Sequence, residues 1–500
     1  MRELRVVVLW TIIAVAVGGF LLRQQRLSHR PVLRVALVDS NSGERLRLAV
    51  PALQKKLSDS AGKPVDIHVF SIPYDDLYRS LHEQEREEAV PSQQFDVVLV
   101  DDPWIAELAS KHVLSPLPDD WLENPALKRT ILNYAPEFLR VDFYRNTAPR
   151  RPQLDDLWDV PETVSIGRAA AAFRKGYKLY GLPYVGNMQA LTVSPNIKDG
   201  AIGAVGGSGT TWSGLRAQTD KGPVRFYSRL GSDNGALIDF LPILWSYGGC
   251  LVSTDRDGRE VTGFTARPDS PEWRALDTSI AISRRSSPEY SRFDEDVLFR
   301  FVSDKANLLS ISWLALRGRS LQAPGSHGPG WYQMPVNEEG PSPGCADNEE
   351  RRGTRRSGGL GLWSLAIEAG ASERELAAQF VQYAVEDLWN DAGSGDPVCS
   401  AHGGNTPAQL EELPPDRSVF YPSPLLSKMS CATRKMVALA RPRISHPEWH
   451  KIEHAVGLRV REAHWQTIGI PDATCRTARD VQRILNGSEF TCPVLPPGAP

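Results

Sequence analysis

Two adjacent carboxylates and an indole follow directly after an apolar run. Asp101, Asp102 and Trp104 come after Val97–Val100, whose β-branched residues predict a buried strand. Carboxylates accept hydrogen bonds from hydroxyl groups, and an indole face packs on apolar C–H groups or on a cation. These residue types at this spacing favour a site for a polar small molecule. The alternative is that Asp102 only caps a helix and Trp104 only packs in the core.

The residues after the carboxylates predict a helix that lies on a sheet. Asp102 can cap such a helix, and Pro103 has the backbone geometry of a first helical residue. The residues that then recur at helical spacing are Ile105, Leu108, Ala109, His112 and Val113. In open α/β sheets, ligands bind at the edge where strands end and helices begin.

The chain before this point alternates between strand and helix patterns. Strands are predicted over Leu33–Val38 and Val65–Phe70, helices over Leu46–Leu57 and Tyr74–Glu87, and a third strand follows Phe95. Alternation of this kind predicts an α/β fold with right-handed connections and a mainly parallel sheet.

Length and charge limit the classes of protein that this chain can belong to. Its 500 residues exceed one ordinary core and predict two or three folding units. The 57 basic and 60 acidic side chains give a net charge of −3, which provides no general attraction for nucleic acid.

The N-terminus carries an uncharged apolar stretch between basic residues. Val6–Leu22 is just long enough to span a bilayer and also fits a secretory signal. We find no lipid-attachment cysteine after it, and the small-residue pair Ala14 and Ala16 lies inside the apolar run. An uncleaved anchor on the cytoplasmic membrane, with the rest of the chain extracytoplasmic, is therefore predicted, and cleavage is the alternative.

The six cysteines favour export to an oxidising compartment. They are Cys250, Cys345, Cys399, Cys431, Cys475 and Cys492, and none are spaced as C-x-x-C. Cys475 and Cys492 flank a short predicted helix and are the favoured disulfide, although six cysteines permit fifteen pairings.

Several segments, taken in order, resemble the extracellular solute-binding proteins (family 1) of ABC importers, the class that binds sugars as maltose-binding protein does. FDVVLVDDPW with Val113–Leu117 is similar to the family's strand–acidic–helix unit, and Lys178–Tyr184 (KLYGLPY) to its Gly-Leu-Pro-Tyr segment. Asp239–Val252 is similar to its double-glycine helix, and Gly358–Ile367 to its glycine-led strand. Phe301–Ala306 departs from the family pattern, because Ser303 stands where a glycine is usual.

The resemblance implies a two-lobed periplasmic-binding-protein-like α/β fold (type II), with the ligand in a cleft between the lobes. On that template the chain crosses between lobes near Pro183, Ser310 and Gly361. The implied division is an N-terminal hydrophobic segment over 1–30, a first lobe over 33–183 plus 309–360, a second lobe over 184–308 plus 361–492, and a flexible tail over 493–500.

The resemblance also implies that the protein binds a ligand and catalyses no reaction. The protein would be a monomer that binds a carbohydrate or similar polyhydroxylated solute, needs no cofactor or metal, and delivers the solute to ABC permease subunits. The predicted ligand-binding residues are Asn41, Asp101, Asp102, Trp104, Tyr184, Trp313, Trp363 and Asn405. Aromatic faces with hydroxyl-binding carboxylates suit sugar rings, and 13 tryptophans are available.

Three other classes remain open from the residues alone. An enzyme is disfavoured because no HExxH, Walker A, G-x-S-x-G or GxGxxG motif stands in a suitable context, and because adjacent Asp101 and Asp102 point apart on an extended chain, unlike a glycosidase pair. A zinc site could use His450 and His454, which are spaced i, i+4 with Glu453 beside them. A membrane-tethered sensor or interaction subunit could use the same two-lobed body.

Overall fold

The computed structural model describes most of the chain between residues 30 and 493. The described residues are 30–39, 41–83, 95–118, 121, 143–144, 178–195, 197, 211–255, 259–293, 295–305, 307–313, 330–332, 334–335, 358–390, 441–444 and 446–493. The apolar segment 6–22, Asn405, Cys345, Cys399, Cys431 and all but the first residue of the tail lie outside them. In the part that the structure describes, no helix is both long and apolar enough to cross a membrane.

The first elements alternate as the sequence predicts. They are β1 (Val32–Val38), α1 (Asn41–Ala61), β2 (Asp66–Ile72), α2 (Tyr74–Glu83), β3 (Val97–Asp101) and α3 (Asp102–Ser110). β1 pairs in parallel with β2 on one side and with β3 on the other. Every residue of β3 is buried, which explains why its sequence is a continuous apolar run without alternation.

The start of α3 corrects one prediction from the sequence. Asp101, and not Asp102, is the N-cap residue, because its side chain accepts the Asp102 backbone N–H at 3.1 Å. Asp102 is the first helical residue, and Pro103 lies in the first turn, where its missing N–H costs nothing. The Asp102 side chain therefore does not cap the helix and can bind another partner.

The remaining elements follow in two sets. The first set is β4 (Leu114–Ser115), β5 (Phe143–Tyr144), β6 (Lys178–Leu179), β7 (Gly181–Val193), α4 (Trp212–Lys221), β8 (Arg225–Tyr227), α5 (Asp233–Ser246), β9 (Val252–Thr254) and β10 (Glu260–Thr262). The second set is α6 (Pro271–Ser283), α7 (Glu295–Asp304), β11 (Leu308–Trp313), β12 (Gly330–Tyr332), β13 (Gly359–Glu368), α8 (Arg374–Asn390), β14 (Arg441–Pro442), α9 (Trp449–His464) and α10 (Ile470–Asn486).

The main sheet is parallel at both ends and antiparallel through its middle, so the prediction of a mainly parallel sheet holds for β2, β1 and β3 and for the pair of β11 with β8, but not for the strands between them. Its strand order is β2-β1-β3-β13-β7-β11-β8. β13 runs antiparallel to both β3 and β7, and β7 runs antiparallel to β11. The antiparallel strands include the predicted crossing points, since Ser364 pairs with Pro183 and Ser310 pairs with Thr192.

Helix α8 packs on the first part of the chain. The Tyr383 hydroxyl lies 3.2 Å from Ser60 Oγ, and Lys56 pairs with Glu386 at 3.5 Å, so α8 lies against α1. The buried carboxylate of Asp96, beside β3, accepts the backbone N–H groups of Ser372 and Glu373 just before α8 begins. The division implied by the resemblance places α8 with the other lobe.

The C-terminal helices α9 and α10 pack on α5 and β10. Gly457 allows the close approach of α9 to α5, because a Cβ there would lie 2.1 Å from the carbonyl oxygen of Asp233. The predicted disulfide is confirmed, since Cys475 in α10 is bonded to Cys492. These contacts hold α9 beside the start of α5.

Candidate functional site

A buried arginine holds the two predicted carboxylates. Arg443, which follows β14, donates to both Asp101 and Asp102, and all three side chains are almost fully buried. Tyr74, the first residue of α2, donates its hydroxyl to Asp101 Oδ2 at 2.9 Å. Both carboxylates therefore have protein partners, and they lie behind the surface rather than on it.

Burial sets the protonation of this cluster. Desolvation raises the pKa of the Asp102 carboxyl well above its ordinary value of 3.8, although Arg443 acts in the opposite direction. Burial followed by the charge of Asp101 raises the pKa of the Tyr74 hydroxyl, which therefore remains a donor. Burial lowers the pKa of Arg443, but the charges of Asp101 and Asp102 outweigh it and raise that pKa well above its usual value.

Four aromatic side chains pack in front of the carboxylates. The Trp104 ring centroid lies 4.6 Å from that of Tyr74 and 5.1 Å from that of Tyr78. Trp363 in β13 lies edge-on at 6.1 Å from Trp104 and at 5.9 Å from Tyr74. The structure thus brings together two of the predicted tryptophans with two tyrosines that the prediction omitted.

Trp313 reaches the same region from the end of β11. The Arg443 guanidinium lies 5.8 Å from the centre of its ring, within the range of a cation–π contact. A Cβ on Gly361 would meet the Trp313 ring at 3.1 Å, so this glycine leaves the space that the indole occupies. Arg443 therefore connects Trp313 to Asp101 and Asp102.

A cleft of about 180 Å³ opens beside the aromatic group. One side comes from α2 and α3, and the other comes from the start of α5 and from α9. The lining residues are Tyr74, Asp75, Tyr78, Trp104, Ser232, Asp233, Asn234, His450, Glu453 and His454. Trp104 is thus the predicted site residue that lines the cleft. Asp101 supports the cleft wall through its hydrogen bond with Tyr74.

The far wall of the cleft is a hydrogen-bonded polar group. Asn234 donates its amide to Glu453 at 2.5 Å, which joins α5 to α9. Asp233 accepts from Arg461 at 2.5 Å and lies 2.6 Å from His454 Nδ1. The hydrogen bond that the His450 ring donates to the Glu453 carboxylate is the main cause that raises the pKa of His450.

Glu107 connects the helices that carry the two walls of the cleft. Its carboxylate on α3 accepts the Tyr78 hydroxyl at 3.1 Å and lies 3.0 Å from His82 Nε2. It also accepts the backbone N–H of His450, at the first turn of α9, at 3.4 Å. Burial raises the pKa of Glu107, but His82 with Lys111 and Tyr78 outweighs it and lowers that pKa.

Three further predicted residues remain proposals. Tyr184 is buried in the core within β7. Asn41 begins α1, and Asn405 lies outside the described residues. Sequence reasoning missed Tyr74 and Tyr78, although their i, i+4 spacing on a predicted helix indicates one shared face. It also missed Arg443, for which the local sequence carries no signal.

The two histidines considered as zinc ligands line the cleft instead. His450 Nδ1 lies 3.8 Å from Glu453, and His454 pairs with Asp233. His446 binds Glu260 at 2.9 Å, away from both of them. Among the described residues, no group of three or more His, Cys, Asp or Glu side chains is arranged to hold a metal ion.

Solved structures match nearly the whole chain. A solute-binding protein of an ABC transporter from Agrobacterium radiobacter K84, in complex with ribitol, is 15% identical with a TM-score of 0.59, over 91% of this chain and 98% of that one. The GacH receptor of Streptomyces glaucescens, solved unliganded and with acarbose, is 15% identical with a TM-score of 0.57, over 92% and 99%. Maltose-bound MalE3 of T. maritima is 15% identical with a TM-score of 0.54, over 91% and 100%.

These similarities establish the fold. The chain has the mixed α/β fold of two-lobed solute-binding proteins of ABC transporters, as the sequence predicts. No protein-family model matches the chain, and no curated protein matches it in sequence.

Proposed function

We propose that this protein is the solute-binding protein of an ABC importer and that it binds a carbohydrate or polyol in the cleft between α2–α3 and α5–α9. The observation that carries the proposal is the composition of the two walls. Tyr74 and Tyr78 supply aromatic surface on one side, backed by the buried Trp104, and Asp233, Asn234 and Glu453 supply hydrogen-bonding groups opposite them. Sugar rings present apolar C–H faces and many hydroxyls, so both walls have complementary partners.

The proposed mechanism is binding coupled to closure, without a chemical step. Ligand contacts to both walls favour a closed arrangement by the difference in affinity between the open and closed forms. Asp101, Asp102 and Arg443 act from behind, by fixing Tyr74 and the start of α3. Trp363 and Trp313 are proposed to extend the aromatic surface. Tyr184, Asn41 and Asn405 remain proposed ligand-binding residues.

The proposed lobes follow the two walls of the cleft. α2 and α3 belong to the first lobe, and α5 and α9 to the second. Because α8 packs on α1 and β11 pairs with β8, we place α8 in the first lobe and β11 in the second. This moves both elements relative to the division that the family resemblance implies.

We further propose an extracytoplasmic location, with residues 6–22 as the tether and permease subunits as the partners. The disulfide between Cys475 and Cys492 supports an oxidising compartment. The fold of importer solute-binding proteins supports the permease as partner.

A thermal-shift screen of the purified chain tests the proposal. The panel contains mono- and oligosaccharides, polyols, amino acids and divalent metals. A ligand that binds only the folded state raises the melting temperature in a saturable manner, so a rise with sugars or polyols is expected. A response to amino acids or metals alone, or no response to any compound, would contradict the proposed ligand class.

A further inference from the structure

Helix α9 begins differently from α4, α5 and α6. Thr211, Ser232 and Ser270 cap those three helices, since each hydroxyl accepts a backbone N–H of the helix that follows it. Glu448, the residue before α9, has φ −107° and ψ 25°, outside the extended region that such caps adopt, and its side chain pairs with Lys451 at 2.5 Å. The first backbone N–H groups of α9 therefore need acceptors from other segments.

Glu107 supplies one of these acceptors from the opposite wall of the cleft. Its Oε2 accepts the backbone N–H of His450, the second residue of α9, at 3.4 Å. The carboxylate also lies at the positive end of the helix dipole, where a negative charge is stabilising. Since Glu107 lies on α3 and His450 on α9, this cap joins the two proposed lobes.

The Glu107 carboxylate is held in place from its own side of the cleft. Oε1 lies 3.0 Å from His82 Nε2 and 3.3 Å from Lys111 Nζ, and Oε2 accepts the Tyr78 hydroxyl at 3.1 Å. Burial acts to raise the pKa of Glu107, and these partners together lower it, so the carboxylate is ionised at neutral pH. The partners belong to α2 and to the end of α3, so they hold the carboxylate whether or not α9 is near.

A ring contact lies beside this hydrogen bond. The centroid of the His450 imidazole lies 4.7 Å from that of the Tyr78 ring, with 35° between the ring planes. The Tyr78 ring in turn lies 3.9 Å from His82. His450 therefore meets the opposite wall through both its backbone and its side chain, and neither contact requires a ligand.

We propose that Glu107 is a positioning residue for closure, because it caps α9 from the opposite lobe in the closed form and loses this contact when the lobes separate. Closure would thus complete the start of α9, and the cap would slow the release of a bound ligand. Apparent affinity rises with the fraction of the protein in the closed form, so the cap raises it as well. This inference rests on the proposed function and adds a residue that acts without touching the ligand.

Stopped-flow binding measurements on the full chain in detergent test this inference. The probes are the sugars and polyols of the thermal-shift screen, starting with D-glucose, maltose and D-mannitol. Glu107→Gln keeps the size of the side chain and removes its charge. The release rate of a bound probe is expected to rise about two- to ten-fold in this variant, with an unchanged association rate.

Glu272→Gln is the matched control. Glu272 on α6 is also a buried carboxylate, and it accepts the backbone N–H of Ala266 at 2.9 Å, a residue close to it in sequence. This variant makes the same chemical change at a contact that does not cross the cleft, so both rates should remain those of the wild type.

Hydrogen exchange at the first turn of α9 supplies a second readout. A bound probe is expected to slow exchange of the His450 amide in the wild type, and to slow it less in Glu107→Gln. His82→Ala removes one partner of the Glu107 carboxylate and should change release and exchange in the same direction, even if Glu107→Gln does not fold. Wild-type release rates in Glu107→Gln and His82→Ala, or an equal rise in Glu272→Gln, overturn the inference and leave the proposed function intact. The absence of binding by every sugar and polyol overturns both.

Discussion

At the scale of single residues, the site depends on one buried cation. Arg443 is the ion-pair partner of Asp101 and Asp102, and all three side chains are almost completely removed from solvent. Two carboxylates this close repel each other when both are ionised, and burial adds a desolvation cost. Arg443 therefore fixes the end of β3, the start of α3 and, through Asp101, the position of Tyr74.

Removal of this cation is expected to destabilise the protein strongly. Arg443→Met leaves two buried carboxylates without their partner, so the free energy of unfolding should fall by about 3–5 kcal/mol in denaturant titrations. Arg79→Met is the control, since it breaks an exposed pair with Asp76 and should cost less than about 1 kcal/mol. Equal stability of the two variants would contradict the structural role given to Arg443.

A second buried group predicts a dependence of stability on pH. Burial lowers the pKa of His464 from 6.5 to about 4, and its two ring nitrogens lie 2.9 Å and 3.1 Å from Ser279 and Ser283. The unfolded chain therefore binds a proton that the folded chain does not between pH 6.5 and about 4. This contribution to stability is fully present above pH 6.5 and is lost as the pH falls to about 4.

His464→Gln tests this linkage. The variant should lack the loss of stability in acid, which we expect to be roughly 3 kcal/mol, so its free energy of unfolding should depend less on pH across that window. His68→Gln, at an exposed position on β2, serves as the control and should keep the wild-type profile. An unchanged profile in His464→Gln would show that another group causes the acid sensitivity.

At the scale of elements, local patterns predict most of what is observed in the first hundred residues. The alternating strands and helices, the buried run of β3 and the proline in the first turn of α3 are all encoded by neighbours in sequence. The contacts that complete the site join distant segments: Arg443 meets Asp101 across 342 positions, and Asn234 meets Glu453 across 219. No local pattern encodes such pairs, so the sequence predicted Trp104 in the cleft but missed Arg443.

The antiparallel pairing in the middle of the sheet also joins segments that are distant in sequence. The segment Gly358–Ile367 is predicted as a strand, but its sequence does not predict that it lies between β3 and β7. Its partner strands belong to segments that are far from it in the sequence.

The predicted helix cap, Asp102, was wrong by one residue because both Asp101 and Asp102 are good capping residues and only the backbone geometry distinguishes them.

The contact between α9 and α5 is expected to be sensitive to one methyl group. Gly457→Ala would place a Cβ against the Asp233 carbonyl, so α9, which carries Glu453, must move away from α5, which carries Asn234. We expect a loss of about 1–3 kcal/mol in the free energy of unfolding, together with weaker ligand binding. Gly469→Ala is the control, because its added Cβ would meet only Pro471 at 3.5 Å. Wild-type binding and stability in Gly457→Ala would contradict this packing.

At the scale of the whole molecule, the cleft lies where the two proposed lobes face each other. One wall belongs to elements that pack around β1 and β3, and the other to α5 and α9. Glu107 spans the two by accepting the His450 backbone N–H. A ligand bound in the cleft would touch both proposed lobes at once, which is the arrangement that converts binding into closure.

The central claim is that a sugar or polyol binds between these walls. Its most direct test is calorimetric titration of the wild type, Tyr78→Ala and Tyr383→Ala with the sugar or polyol that gives the largest thermal shift. Tyr78 lines the cleft, whereas Tyr383 lies on α8 against Lys56 and Ser60 and serves as the matched control. We predict saturable binding by the wild type and Tyr383→Ala, and affinity about ten-fold weaker or worse for Tyr78→Ala. Wild-type affinity in Tyr78→Ala, or no saturable binding by the wild type, would contradict the account.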